Sequence, residues 1–223
     1  MQVGTDGVLL GAWAPTGMAN TILDIGTGTG LIAIMLAQRS EAKHIHAVEI
    51  DEAAYQQAKE NMQAAPWADR LYAHLGAIQD FELPEEIEEG FDLIVSNPPF
   101  FSGGTFSFNQ DRNSVRHTVK LPHNDLLRAV RRLLHKQGRF ATILPLLEGL
   151  RFRELAESYH LYCTQMIEVQ PKPSRSAERL LLVFEKEAKA IPAHNSTLVL
   201  MQEDDIHRTE AYRSLTEAYY LNP

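Results

Sequence analysis

The chain has 223 residues, 44% of them apolar and 22% charged, which suits one domain with a sizeable core. No apolar run approaches the roughly 18 residues a membrane span requires, the N-terminus lacks a signal-peptide layout, and Cys163, the one cysteine, excludes an internal disulfide, so the cytoplasm is the expected compartment. Net charge is −8 but uneven: residues 41–92 carry 13 acidic and 3 basic side chains, residues 112–139 carry 8 Lys/Arg against Asp125 alone, and such asymmetry can present a basic face on an acidic body.

Residues 21–24 read as a strand, and 31–38 as a helix opening after glycines. Residues 44–49 are a second strand, and 52–63 a helix with Ala54, Ala58 and Met62 on one face. Residues 71–75 and 91–96 are the third and fourth strands, separated by an acidic surface loop at 84–90. Residues 124–134 form a helix whose apolar stripe is Leu126, Leu127, Val130, Leu133 and Leu134. Its cations Arg128, Arg131 and Arg132, with Lys136, read equally well as a solvated face or a phosphate-facing one. A fifth strand spans 139–144, and a helix 149–159. Two further strand-like runs, 162–169 and 179–185, are joined by a loop too short for a crossover helix, which predicts an antiparallel pair. The alternation predicts an α/β fold: a doubly wound, mostly parallel, seven-stranded Rossmann-like sheet with a C-terminal antiparallel hairpin, residues 1–223 forming one domain.

Between the first strand and first helix lies Asp24-Ile25-Gly26-Thr27-Gly28-Thr29-Gly30. Glycines let the backbone approach a ligand, and a helix start offers unpaired N–H groups. Position 31 is Leu, where a dinucleotide fingerprint requires its third glycine. Gly-x-Gly-x-Gly with an acidic residue two positions earlier resembles the S-adenosylmethionine loop of class I methyltransferases instead. The second strand ends in Glu49-Ile50-Asp51, and a carboxylate 19 residues beyond Gly30 can accept bonds from both ribose hydroxyls of a nucleoside. Glu49 is the expected ribose ligand, and Asp51 the cap of the following helix.

The fourth strand ends in Asn97-Pro98-Pro99-Phe100. With the strands ordered 3-2-1-4-5, this tetrapeptide and the glycine loop face one crevice from neighbouring strands. The chemistry fits a planar exocyclic amine, whose lone pair is delocalised into its ring. The Asn97 side-chain carbonyl and the Pro98 backbone carbonyl can accept both N–H bonds, which favours a tetrahedral nitrogen and stabilises its developing positive charge. Pro98 and Pro99 stiffen the backbone that holds the acceptors. Phe100 offers a face for stacking, worth about 1–3 kcal/mol on nucleic-acid platforms.

Three segments together, residues 4–13 (Gly-Thr-Asp-Gly-Val-Leu-Leu-Gly-Ala-Trp), the loop at 24–30 and the tetrapeptide at 97–100, resemble the bacterial tRNA-valine adenine N6-methyltransferase family. The likeness runs over most of the chain, including Pro66-Trp67-Ala68 and a terminal helix at 212–221. It implies S-adenosylmethionine as cofactor, held by Asp24, Gly26, Thr27, Gly28, Gly30, Glu49, Ile50 and Asn97, with Thr5 and Asp6 closing over its methionine end. The implied product is N6-methyladenine beside the anticodon of a valine tRNA. Relatives carry an acidic residue that reads the cofactor adenine where this chain has Ala77; either Asp80 or the backbone of Ala77 and Ile78 takes that role. Relatives also begin with an aromatic-rich segment before the position of Val3, so the family's N-terminal segment is expected to be missing.

The tetrapeptide is shared with rRNA guanine N2 and protein glutamine N5 methyltransferases, which remain alternative substrates; a non-enzymatic RNA-binding or cofactor-sensing module is the third reading. Phe101 to Asn109 suit a lid around a flipped base, with Phe106 or Phe108 packing on it. Arg112, Arg116, Lys172, Arg175 and Arg179 are the candidate phosphate contacts. The expected partner is tRNA, the expected state a monomer. The nine histidines show no pair spacing for a metal, and none is expected.

Overall fold

A computed structural model describes residues 4–99, 121–189 and 194–220. It opens with helix α1 (Thr5–Trp13), then β1 (Thr21–Ile25), α2 (Leu31–Arg39), β2 (His44–Glu49), α3 (Glu52–Ala64), β3 (Leu71–Leu75) and β4 (Phe91–Ser96). After the undescribed segment come α4 (His123–Leu133), β5 (Leu134–Pro145), α5 (Leu146–Glu157), β6 (Tyr162–Gln170), β7 (Arg179–Glu185), β8 (His194–Val199) and α6 (Glu210–Thr216). Among the described residues no helix is long and apolar enough to cross a membrane.

The strands form one sheet in the order β3-β2-β1-β4-β5-β7-β6-β8. The first five are parallel, β7 runs antiparallel to both β5 and β6, and β8 runs parallel to β6. Among the described residues the sheet therefore has eight strands, not seven. The extra one, β8, reads His-Asn-Ser-Thr-Leu-Val and buries only Leu198 among its described side chains. An edge strand that contributes so little to the core carries almost no apolar signal.

Successive residues of the central strands feed opposite faces. Ile22, Leu93, Val95, Ala141 and Ile143 pack under α1, α2 and α3 with Leu9, Leu36 and Met62. Leu23, Ile25, Ile94, Phe140 and Phe184 pack under α4 and α5 with Leu127, Val130 and Phe152. Burial on both faces is why these strands read as continuous apolar runs. On the second face, next to β3 and β2, no helix follows β3 before the chain enters β4; the acidic segment through Ile87, itself buried, covers that area.

Helix α1 was not marked by periodicity because Gly7, Val8, Leu9, Leu10, Gly11 and Ala12 are all buried, leaving no polar stripe. Arg39 of α2 fixes its far end, donating from Nη1 to the carbonyls of Gly11 (3.0 Å) and Ala14 (2.8 Å). The terminal helix starts earlier than the sequence suggests, at Glu210, because the Thr209 hydroxyl caps it by accepting from Tyr212 N. A short 3-10 turn, Glu217–Tyr219, follows.

Candidate active site

The carboxyl ends of β1, β2 and β4 come together because the strands are neighbours in register: Ile25 pairs with Val48 on one side and Ser96 on the other. The Ser96 hydroxyl donates to Ile25 O (2.9 Å) and ties the two ends. Residues 26–30 and 97–99 therefore leave the sheet side by side.

Gly26, Gly28 and Gly30 all have positive φ, at 71°, 60° and 82°. This alternation is a backbone path that L side chains resist. Gly30 has a second constraint: a Cβ there would lie 3.3 Å from Met62 Cγ and 3.4 Å from Ala58 of α3. Val48 O accepts from Gly26 N (2.9 Å) and Thr27 N (3.2 Å), pinning the loop to β2.

Glu49 joins the loop to the second strand. Its Oε2 accepts from Gly28 N (2.8 Å), and its Oε1 accepts from Ile50 N (2.9 Å) and Asp51 N (3.0 Å). The carboxylate is thus locked in orientation while its residue stays partly open to solvent. Asp51 caps α3, accepting from Ala54 N at 2.8 Å. Ile50, 43% exposed, and Gly76, whose N–H donates to Glu49 O, flank the carboxylate. Beyond Gly76, Ala77 is half-buried, Ile78 is buried and Asp80 is exposed. Arg132 of α4 donates to the carbonyls of Ile78 (3.1 Å), Gln79 (3.2 Å) and Phe81 (2.7 Å) and holds this turn. That geometry gives one cation of the basic stretch a structural role. A fixed carboxylate beside an apolar, accessible ledge suits a nucleoside.

Asp24 lies one layer deeper and is fully buried. Its Oδ2 accepts from the Thr27 hydroxyl at 2.6 Å, whereas Oδ1 is buried without a hydrogen-bond partner among the described residues. Burial outweighs the Thr27 bond and the nearby Ala33 backbone N–H and, with a small push from the Glu49 charge, raises its carboxyl to about 7. A cationic donor reaching Oδ1 would satisfy it.

Asn97 is half-buried and Pro98 buried, and Pro99 is exposed. The Asn97 side-chain oxygen is buried without a partner among the described residues. Its amide nitrogen lies near α1: a Cβ placed on Gly7 would be 3.9 Å from Nδ2 and 3.6 Å from Leu31 Cδ2. α1 therefore closes one side of the crevice, with Thr5 and Asp6 at its open end. Asp6 Oδ2 accepts from Arg179 Nε at 3.0 Å. Arg179 begins β7, opposite Pro145 at the end of β5, so the β6–β7 hairpin tip shares the rim of the crevice. On that tip Lys172 pairs with Asp205, and Arg175 is exposed. Phe100, Arg112, Arg116 and the candidate lid at 101–109 lie outside the described residues.

Sequence reasoning missed two arrangements. The Asp6–Arg179 pair spans 173 positions and has no local signal. His44 and His46 are brought within reach of Glu86, a grouping that linear spacing does not reveal because it needs a strand face and the segment crossing it.

Residues 4–143 match the family model of the methyltransferase small domain. The chain is 45% identical over 222 residues to the tRNA1(Val) (adenine(37)-N6)-methyltransferase of Actinobacillus succinogenes, covering 99% of this chain and 91% of that protein. It is 43% identical over 223 residues to the protein of the same name from Histophilus somni, covering 100% and 91%. Among solved structures, a predicted O-methyltransferase from Agrobacterium tumefaciens superposes with a TM-score of 0.72 at 16% identity, over 96% of each chain. That likeness concerns the fold alone.

Proposed function

The chain belongs to the methyltransferase small domain family, and we propose on that premise that it uses S-adenosylmethionine to methylate the exocyclic N6 amine of adenine in tRNA. The relatives' names point further, to the adenine at position 37 of a valine tRNA. The reading includes a single domain that works as a monomer in the cytoplasm. One observation carries it: the Asn97 side-chain oxygen is buried and, among the described residues, unpartnered, just past the end of the strand beside the glycine loop. Leaving such an acceptor unmet costs about 1–3 kcal/mol, a cost that makes sense where a ligand N–H completes the site.

Bound S-adenosylmethionine would supply an electrophilic methyl group. Glu49, oriented by three backbone amides, accepts from the ribose hydroxyls. Ile50, Ala77 and Ile78 flank the adenine, with backbone groups taking the place of the absent acid. Asp24 Oδ1 accepts from the ammonium of the methionine end, and Thr5, Asp6 and the loop residues Gly26, Thr27, Gly28 and Gly30 enclose it. On the substrate side, Asn97 Oδ1 and the Pro98 carbonyl accept the two amine N–H bonds and turn the nitrogen lone pair out of the ring plane. Pro99 stiffens the turn, and Phe100, outside the described residues, is the residue proposed to stack on the base. No strong base is needed, because the proton departs only after the nitrogen has become cationic. Arg112, Arg116, Arg175 and Arg179 are the proposed phosphate contacts; Lys172, paired with Asp205, adds little to them.

The test is product identification. Total RNA from a strain lacking the gene is incubated with the protein and labelled cofactor, digested to nucleosides and analysed by mass spectrometry. N6-methyladenosine in the tRNA fraction is expected; N2-methylguanosine in rRNA, or label in protein, would replace this substrate with another.

A further inference from the structure

At the opposite end of β2 from Glu49, a second polar cluster takes no part in the proposed reaction. His44 and His46 are two residues apart in β2 and so share one face of the sheet. The register places Tyr72 beside His46 and His74 beside Val48, so the same face of β3 lies alongside. The His46 ring stacks on Tyr72 and His74, with centroids 4.8 and 5.1 Å apart, and meets the edge of Phe91 at 5.6 Å. The chain after β3 crosses this face and delivers Glu86, whose Oε1 lies 3.5 Å from His46 Nε2.

The cluster leaves two ring nitrogens unmet. His46 is 1% exposed, yet apart from the 3.5 Å approach of Glu86 its Nε2 has no hydrogen-bond partner among the described residues; neither has the buried Nδ1 of His44. Protein donors satisfy neither atom, whereas one ligand atom from each of His44, His46 and Glu86 lies within 4.8 Å of the others. Four-coordinate zinc, with bonds of about 2.0–2.2 Å to nitrogen and oxygen, sets its ligand atoms about 3.3 Å apart. The His46–Glu86 separation already approaches this, and Glu86 is an exposed loop side chain that can close the remainder. The other nitrogen of His46 is within 2.9 Å of His74 Nε2, the type of outer contact that fixes the tautomer and ring orientation of a metal-ligating histidine.

We propose that His44 Nδ1, His46 Nε2 and the Glu86 carboxylate bind a first-row divalent cation, zinc by preference, with water in the fourth position. Two imidazoles and one carboxylate are a borderline donor set that suits zinc, cobalt or nickel rather than magnesium or calcium. The ion clips the acidic segment between β3 and β4 onto the sheet. Neither the ligands nor the clip depends on methyl transfer.

The test uses untagged full-length protein stripped with chelator, titrated with zinc chloride against a chromophoric competitor. One tight equivalent is expected, with a rise in Tm. Cobalt in its place should give the strong visible absorption of a four-coordinate ion. Glu86→Gln, on an exposed segment, should weaken zinc binding at least tenfold, the scale of losing even an outer-shell partner. His44→Ala should do the same. Glu85→Gln, on the neighbouring exposed glutamate, should leave it unchanged. The proposal is overturned by the absence of a tight equivalent, by affinity unaltered in both ligand variants while circular dichroism shows them folded, or by equal weakening in Glu85→Gln, which would mean diffuse binding to the acidic loop.

Discussion

Two segments share the carboxyl-end rim of the sheet and treat their polar groups in opposite ways. On the hairpin tip at 170–179, Lys172 meets Asp205, the Ser174 backbone and hydroxyl donate to Glu203, and Arg179 meets Asp6. On the segment from the glycine loop to Asn97, Asp24 Oδ1 and Asn97 Oδ1 are buried with no partner among the described residues, although Thr27, Gly28, Ile50 and Asp51 are spent orienting the acids around them. Buried polar atoms are satisfied in the great majority of folded proteins. Unmet acceptors gathered at one end of neighbouring strands therefore mark where a ligand completes the structure, and the paired hairpin marks where the fold completes itself.

The sharpest way to break that contrast is Asn97→Ala. If the side-chain oxygen waits for a substrate N–H, its loss should lower the methyl-transfer rate by about 10²–10³, the scale of removing one preorganised transition-state contact. Cofactor affinity should stay near normal. Folding stability should hold or rise slightly, because an unsatisfied acceptor has gone. Rate measurement alongside urea unfolding decides it: retained activity, or lost stability with proportionate loss of activity, would make Asn97 a structural residue like those of the hairpin.

Asp24 gives the next largest effect, in pH. Its folded pKa of about 7, against an ordinary 3.8, means that the folded state holds the proton more tightly than the unfolded state. In the free protein its contribution to stability is therefore full below about pH 4 and is lost as pH rises towards 7. Cofactor binding carries the opposite sign, since an ammonium beside Oδ1 requires the ionised acid. Affinity measured by calorimetry should fall about tenfold per unit as pH drops below 7. Asp24→Asn should flatten that slope. A flat profile in the unsubstituted protein would place the cationic end of the cofactor elsewhere.

Much of the frame was legible in the sequence because burial enforces pattern. The bounds of β2, β3, β4 and β7 agree with the predicted runs: each is a short run of residues that fit a sheet, framed by turns or loops. The antiparallel β6–β7 pair followed from loop length alone. What escaped is what lacks contrast. α1 is apolar on every side, β8 is a polar edge, and β5 starts five residues early, at Leu134, where its register against β4 is irregular between Phe91 and Leu93. At the site, the glycine loop, Glu49 and Asn97 were readable because their spacing follows from strand order. The unmet state of Asn97 Oδ1 was not, since it depends on what α1 fails to offer. The Asp6–Arg179 pair and the His44–His46–Glu86 cluster depend on register and on a segment folding back over a strand face, which no local window contains.

The smallest effect separates cations within the hairpin. Lys172 and Arg175 lie three residues apart on one tip, and composition gives them equal standing as phosphate contacts. The fold does not: Lys172 is held by Asp205, and Arg175 is exposed. A lysine already paired with a carboxylate must give up that partner before it meets a phosphate, so its net gain is small, and an exposed pair contributes only about 0–1 kcal/mol to stability. An arginine facing solvent displaces only counterions from the RNA. Lys172→Ala should therefore leave both stability and the salt dependence of tRNA binding nearly unchanged. Arg175→Ala should reduce the slope of log affinity against log salt by about 0.7–0.9, the contribution of one neutralised phosphate. Filter binding between about 50 and 200 mM salt resolves a difference of that size. If the two variants shift the slope equally, pairing within the protein does not protect a cation from the RNA, and the division between the two halves of the rim is narrower than their hydrogen bonds suggest.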